Sequence, residues 1–457
     1  MISGSIAECL AVWVLVAVLL VWSQWRWGGA SCGIPFAYFL GLAIIHVPGA
    51  VLYLDPTYEF YNPQFVETGF QITTLGVVGF MVGVLIAGTR ARIPRRRHVT
   101  SAKSEAVSHA TAPEINRLAW IFLLSGFVVQ FVITPALQGL FLTALLTGLT
   151  QLTVAGTCLG LYAAYISGDR ALLRRWLLVA SAFPAVTLLA SAFLGYGVYA
   201  LLVVVSFASA LFRPRLWSVF PFAIAMFLGI SIFVTYARDR GEFREAAWIE
   251  GATLQQRVER VINTFTDFEL VDLDNPKHRA NIDLRLNQND LVGAAEAHIA
   301  SGRADFANGE TFWVALVAPI PRILWPDKPQ FGGSGDTVAN YTGYSFADGT
   351  SVGLGQVLEF FINFGWTGEF WCYVLYGAIC RRLDMHAGLA LRAGKFRTFL
   401  LFFMPAMATM QSGGALAEVV GSAAGAFFAA LLASALADRY LIRIRTNANN
   451  ALSRQHL

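Results

Sequence analysis

The chain predicts an all-α polytopic membrane protein of about eleven transmembrane helices, with one large, folded, helical loop outside the membrane. Three observations carry that expectation. Its 457 residues are 56% hydrophobic and only 14% charged, with a mean hydropathy of +0.56, where a soluble chain carries about 25% charge. That balance excludes a large soluble helical protein. Apolar runs of about 20 residues recur, each long enough to cross a hydrocarbon core of about 30 Å. In lipid such crossings are helical, because every backbone amide must be satisfied within its own segment. The third observation is the placement of lysine and arginine.

Taken in order, residues 1–236 hold eight predicted crossings, at 6–22, 34–54, 70–87, 118–133, 140–165, 176–194, 197–212 and 216–236. The first lacks a basic leader and carries Glu8, so it reads as a retained span rather than a removed signal peptide. Residues 89–116 read as a linker, whose Arg95, Arg96 and Arg97 are either an orientation signal or a lipid-headgroup anchor. Residues 237–352 form the large loop. Residues 353–457 hold a short re-entrant or interfacial helix near 354–364, then crossings at 369–379, 398–410 and 417–436.

Charge placement tests this alternation. Eleven of the 33 Lys and Arg lie in the long loop, and the other 22 fall on one side of the membrane. The short opposite connections, such as 55–67, 134–138 and 411–415, contain none. By the positive-inside bias the basic side, with the C-terminus, is cytoplasmic and the long loop is outside.

Within the loop, Leu254, Val258, Val261, Ile262, Phe265 and Phe268 recur at helical spacing. Ile282, Leu286, Ala295, His298 and Ile299 suggest further helix, and apolar 311–320 is too short to span and should rest at the interface. The five cysteines all fall in or beside apolar runs, so neither a disulfide framework nor a zinc site is indicated. His46, Gln130 and Gln151 inside spans read as interhelical hydrogen-bonding residues.

Chemistry concentrates in three places. In Y-A-R-D-R-G-E-F-R, where the eighth span ends, Arg238, Arg240 and Arg244 could grip a diphosphate through planar guanidinium forks. Equally, they could form salt bridges with Asp239 and Glu242. In A-P-I-P-R-I-L-W-P-D-K-P (318–329), four prolines stiffen the backbone under Arg322 and Lys328, while Trp325 reads as an interfacial anchor. The third set is acidic: Asp327, Glu359, Glu369 and Glu418. Glu359, in the apolar run V-L-E-F-F-I-N-F-G, is the first choice for a base that takes an acceptor hydroxyl's proton, with Asp327 the alternative. A buried Glu359–Arg pair is the structural reading of the same residue. Arg285, Tyr341 and Asn363 complete the candidate binding set. Asp272 and Asp274 form a D-x-D, but a loop facing away from cytosolic nucleotides gives it no nucleotide sugar to bind, so no metal and no cofactor is expected.

The stretch G-E-T-F-W-V-A-L-V-A-P-I-P-R-I-L-W-P-D-K-P (309–329), the glycine-rich turn at 332–335 and L-E-F-F-I-N-F-G-W-T-G (358–368) resemble the Wzy-type O-antigen and oligosaccharide repeat-unit polymerases. The resemblance implies a bacterial inner-membrane protein similar to the GT-C glycosyltransferases, with its large loop periplasmic. It implies transfer of a growing glycan from one undecaprenyl diphosphate to the next lipid-linked repeat unit. Membrane lipids, a chain-length regulator and a flippase of the same pathway are the implied partners; nucleic acid is not one. O-antigen ligases share topology and donor, and a lipid-linked oligosaccharide flippase or a non-catalytic assembly partner are alternatives from other classes. A flippase predicts charges inside the spans around a midplane cavity.

Overall fold

The computed structural model describes residues 2–26, 30–90, 111–137, 143–213, 219–248, 253–329, 334–346 and 352–455. The basic cluster of the linker and Gly332–Gly333 lie outside the described residues, as does the side chain of Arg244. Among the described residues there is no strand.

The chain opens with α1 (Ile2–Arg26), α2 (Ile34–Leu52), α3 (Pro63–Arg90) and α4 (Ala112–Val128). α4 runs through a π-helical turn (Val129–Ile133) into α5 (Thr134–Ala136). Then come α6 (Thr143–Thr150), α7 (Leu152–Ser167), α8 (Arg170–Ser181), α9 (Phe183–Ser191), α10 (Leu194–Phe212) and α11 (Val219–Trp248). The long loop folds as α12 (Leu254–Thr266), α13 (Pro276–Leu286), α14 (Asn289–Ala300), α15 (Glu310–Val317) and α16 (Ser334–Thr342). α17 (Gln356–Arg392), α18 (Phe396–Ala408) and α19 (Leu416–Gln455) end the chain.

Nine helices among the described residues are long and apolar enough to cross a membrane. They coincide with the first eight predicted crossings and the last. The expected ninth and tenth fall on α17 and α18, for two different physical reasons. α17 carries Glu369, Arg381, Arg382 and Asp384 along its length, and α18 has only 13 residues, about 20 Å of helix.

α17 is also not one rod. Gly365 has φ 64° and ψ −160°, a conformation open essentially to glycine alone. In a straight helix residues 360 and 373 would stand about 20 Å apart, yet the rings of Phe360 and Tyr373 are 5.0 Å apart. The break therefore folds 356–364 back along 366–392. The short apolar run 354–364 is thus a separate helical arm folded against the rest of α17.

Small residues on α3 set how closely its neighbours approach. A Cβ at Gly83 would stand 2.0 Å from the Val374 carbonyl oxygen of α17, and one on Gly293 of α14 would stand 1.9 Å from that of Phe65. Backbones pack this closely only where a side chain is missing. Loop helix α14 is thus wedged against the start of α3 rather than held apart from the bundle. At the other end of α2, the buried Asp384 carboxylate accepts from Cys32 N (2.7 Å), Ile34 N (3.1 Å) and Ser31 Oγ (2.7 Å). It also pairs with Arg381 at 2.8 Å. A buried ion pair costs desolvation unless its remaining valences are hydrogen-bonded, and capping α2 supplies those of the carboxylate.

Candidate functional site

The two motif stretches of the sequence meet in space. Gly309 N donates to Asn363 Oδ1 at 2.9 Å, and Ala307 N donates to the Ile362 carbonyl at 2.9 Å. Asn363 Nδ2 donates to Thr311 Oγ1 at 2.8 Å and to the Glu359 carbonyl at 2.6 Å. Around this polar bolt, Phe312 packs its ring 5.6 Å from Phe360 and 5.3 Å from Phe364. Sequence explains the local shape: Gly309 takes φ 92° to start α15, and Pro319 and Pro321 stop the helix from running on. The predicted apolar segment 311–320 is a helix only to Val317.

Beyond α15 the chain closes into tight turns. Leu324 N and Trp325 N both donate to the Pro321 carbonyl, at 2.9 and 3.2 Å. Lys328 Nζ folds back to donate to the carbonyls of Ala318 and Ile320, each at 2.9 Å, where the end of α15 leaves acceptors open. Arg322 Nη1 donates to the Pro326 carbonyl at 3.3 Å, and its guanidinium is exposed. Partial burial, then the nearby Arg322 charge, pull the Lys328 ammonium below its ordinary pKa. Arg322, Asp327 and Lys328 therefore share one small turn, with Asp327 exposed. On either side the surface is apolar: Trp313, Leu316, Ile323 and Leu324 are all exposed.

Other sequence-nominated residues go elsewhere. Glu359 is 2% exposed, and its Oε2 accepts from Leu416 N at 2.6 Å, capping the first turn of α19. Asn363 is fully buried in the bolt. Tyr341, on α16, is half-buried, and burial with the carboxylates of Glu310 and Asp305 holds its hydroxyl above the usual range. Arg238 binds Asp239 (2.8 Å), Glu269 and the Asp267 carbonyl (3.0 Å), and Glu269 also meets His278 at 2.9 Å. That is the salt-bridge reading of the first cluster, and it staples the loop to the end of α11. Arg240 is partly buried on the same helix, Arg244 is helical there, and Arg285 is exposed in the last turn of α13.

His46 is the interhelical hydrogen-bonding residue the sequence suggests, but sequence reasoning missed the rest of the buried polar belt between loop and spans that it belongs to. His46 Nδ1 and Asn289 Oδ1 are 2.8 Å apart, and Asn289 Nδ2 donates to the His46 carbonyl at 2.8 Å. Asp283 accepts from Tyr53 (2.8 Å) and Asn287 (2.5 Å), while Tyr344 donates to Asp290 at 3.0 Å. Tyr38 on α2 donates to Gln356 at the start of α17. The run N-Q-N-D at 287–290 was the available signal, since four such residues amid apolar neighbours ask for partners. A further buried carboxylate, Glu369, is fully enclosed, and neither of its oxygens has a hydrogen-bond partner among the described residues.

Fold and site together define a multi-pass helical protein with the length and apolarity to span a membrane nine times among its described residues. Compared with family models, curated proteins and solved structures, the chain matches none.

Proposed function

We propose that the protein is a membrane glycosyltransferase that polymerises undecaprenyl-diphosphate-linked oligosaccharide repeat units into O-antigen, capsular or exopolysaccharide at the periplasmic face of the bacterial inner membrane. One observation carries the reading: Asn363 joins 309–329 to 358–368, the two stretches that bear the resemblance, and so presents Arg322, Asp327 and Lys328 on one rigid turn. Two cations there stabilise charge on a departing diphosphate, the electrostatic role that metals play elsewhere. The exposed apolar residues beside them suit a site that receives its substrate from lipid. Asp327 is the better-placed group to take the acceptor's proton, because Glu359 faces inward and caps α19. Asn363 then positions the helix that leads to the turn, while Glu359 caps α19 and Tyr341 lies near the Glu310 and Asp305 carboxylates. Arg238 anchors the loop, leaving Arg240, Arg244 and Arg285 as the further cations of the loop.

The test is a deletion strain and purified components. Loss of the gene should leave a single repeat unit on lipid, and reconstitution with purified lipid-linked repeat units should restore long glycan. Transfer to lipid A core instead would make the protein a ligase. Movement of lipid-linked sugar across a vesicle wall without glycan growth would make it a flippase, the reading that the enclosed Glu369 favours.

A further inference from the structure

One ionisable side chain inside the bundle has no part in the chemistry at Arg322. Glu369, on the second arm of α17, is 0% exposed, and neither carboxyl oxygen meets a hydrogen-bond partner among the described residues. It lies one turn past the break at Gly365. Its Oε1 rests against Gly76 of α3, where a Cβ would stand 2.6 Å away, and the same Cβ would stand 2.7 Å from the Tyr373 ring. The missing side chain at Gly76 is thus the notch that admits the carboxyl. Gly76 is the middle residue of Pro63–Thr89, a helix long and apolar enough to cross a membrane, and stands about 20 Å from either end. The carboxyl therefore sits at the mid-depth of that helix.

Its surroundings decide its state. A buried carboxylate keeps its charge only beside a cation or several N–H donors, because an isolated one loses its hydration without return. Tyr38 from α2, and Cys372 and Tyr373 from α17, lie within reach of its charge; all three are weak acids and none becomes a cation. On α3 the ionisable residues are Glu67 and Arg90, about 14 and 21 Å from Gly76 along the helix. Glu8 and Cys9 of α1 lie by Thr74, two residues from Gly76 and so on a different face of α3. A hard metal cation asks for about six or more oxygens, whereas this wall offers a glycine and a ring edge. Among the described residues no three His, Cys, Asp or Glu gather to hold a metal. A proton is the cation that one carboxyl holds without further ligands.

We propose that Glu369 is a proton-binding site at the middle of the bundle, a neutral carboxylic acid seated in the Gly76 notch. Removal of the proton leaves a bare charge between α3 and α17, so ionisation and the close packing of these two helices exclude one another. No glycan chemistry enters this assignment.

The test reads the carboxyl's own vibration in the full chain, reconstituted in phospholipid vesicles at neutral pH. The infrared spectrum of the wild type minus that of Glu369→Gln should show the C=O stretch of a carboxylic acid, lost in the variant. A carboxylate stretch in its place would overturn the proposal. Where the variant fails to accumulate, dicyclohexylcarbodiimide decides on the wild type. This lipid-soluble reagent takes up the O–H of a carboxylic acid across a C=N bond, oxygen to carbon and proton to nitrogen, and the adduct rearranges to a stable N-acylurea. Peptide mapping should place that adduct on Glu369, and a water-soluble carbodiimide should leave the residue unlabelled. An unmodified Glu369 would overturn the proposal, as would equal labelling by the water-soluble reagent. Loss of the adduct on adding sodium or calcium chloride at constant pH would mean a metal-cation site and overturn it as well.

Discussion

The side-chain oxygen of Asn363 accepts the backbone N–H of Gly309 at 2.9 Å, and through that bond the first arm of α17 holds the start of the helix leading to Arg322. Asn363→Ala leaves the half-buried Gly309 N–H and the buried Thr311 hydroxyl without this partner, the latter at a cost of about 1–3 kcal/mol. The variant should insert normally, unfold at lower temperature and make shortened glycan. Thermal unfolding in detergent beside a glycan ladder checks both.

Arg322→Ala should abolish polymer while leaving protein level and membrane insertion intact, because the guanidinium is exposed and its bond to the Pro326 carbonyl lies within its own surface turn. Arg322→Lys should retain only part of the activity, since an ammonium cannot offer a bidentate fork. Normal long glycan in Arg322→Ala would remove the residue from the mechanism.

Glu359 and Asp327 separate by isosteric exchange. Glu359→Gln keeps an oxygen for Leu416 N and should retain most polymer, whereas Glu359→Ala should destabilise by about 0.5–2 kcal/mol as a lost helix cap. Asp327→Asn should nearly eliminate polymer with unfolding temperature unchanged. The reverse pattern would return the base to Glu359.

Gly365→Ala should be poorly tolerated. With φ at 64° and ψ at −160°, a side chain costs about 1–3 kcal/mol, and the new Cβ would also stand 3.2 Å from the Phe306 ring. Unfolding temperature reads the loss.

Burial pushes the Asp290 carboxyl up to about 7, against the Tyr344 hydrogen bond that lowers it and with the Asp283 charge adding to the rise. A carboxyl whose folded pKa lies above its unfolded value binds its proton more tightly when folded. Its stabilisation is complete below the unfolded pKa of about 3.9 and is lost as pH rises through about 7. Unfolding temperature should therefore fall between about pH 4 and 7, and Asp290→Asn should flatten that slope.

Much of the architecture was legible in the residues. The first eight apolar runs and the last are helices of crossing length, since a 20-residue hydrophobic stretch has one stable form in lipid. The break near 354–364 was visible as an apolar piece too short to span. At α17 charge interrupts the apolar run, and Arg381 pairs with Asp384 inside the bundle. No hydropathy pattern foretells that pairing.

For the site, sequence alone determined which residue types stand between which prolines, and so that Arg322, Asp327 and Lys328 share a short stiff turn. Only the tertiary structure decided that Glu359 faces α19 rather than solvent, that Arg238 is bonded within the loop, and that Asn289 reaches His46. Local stiffness follows from covalent geometry and can be read from neighbours in the chain. A buried polar group's partner is chosen by whichever distant donor or acceptor packing brings within about 3 Å, and that depends on every other helix in the bundle.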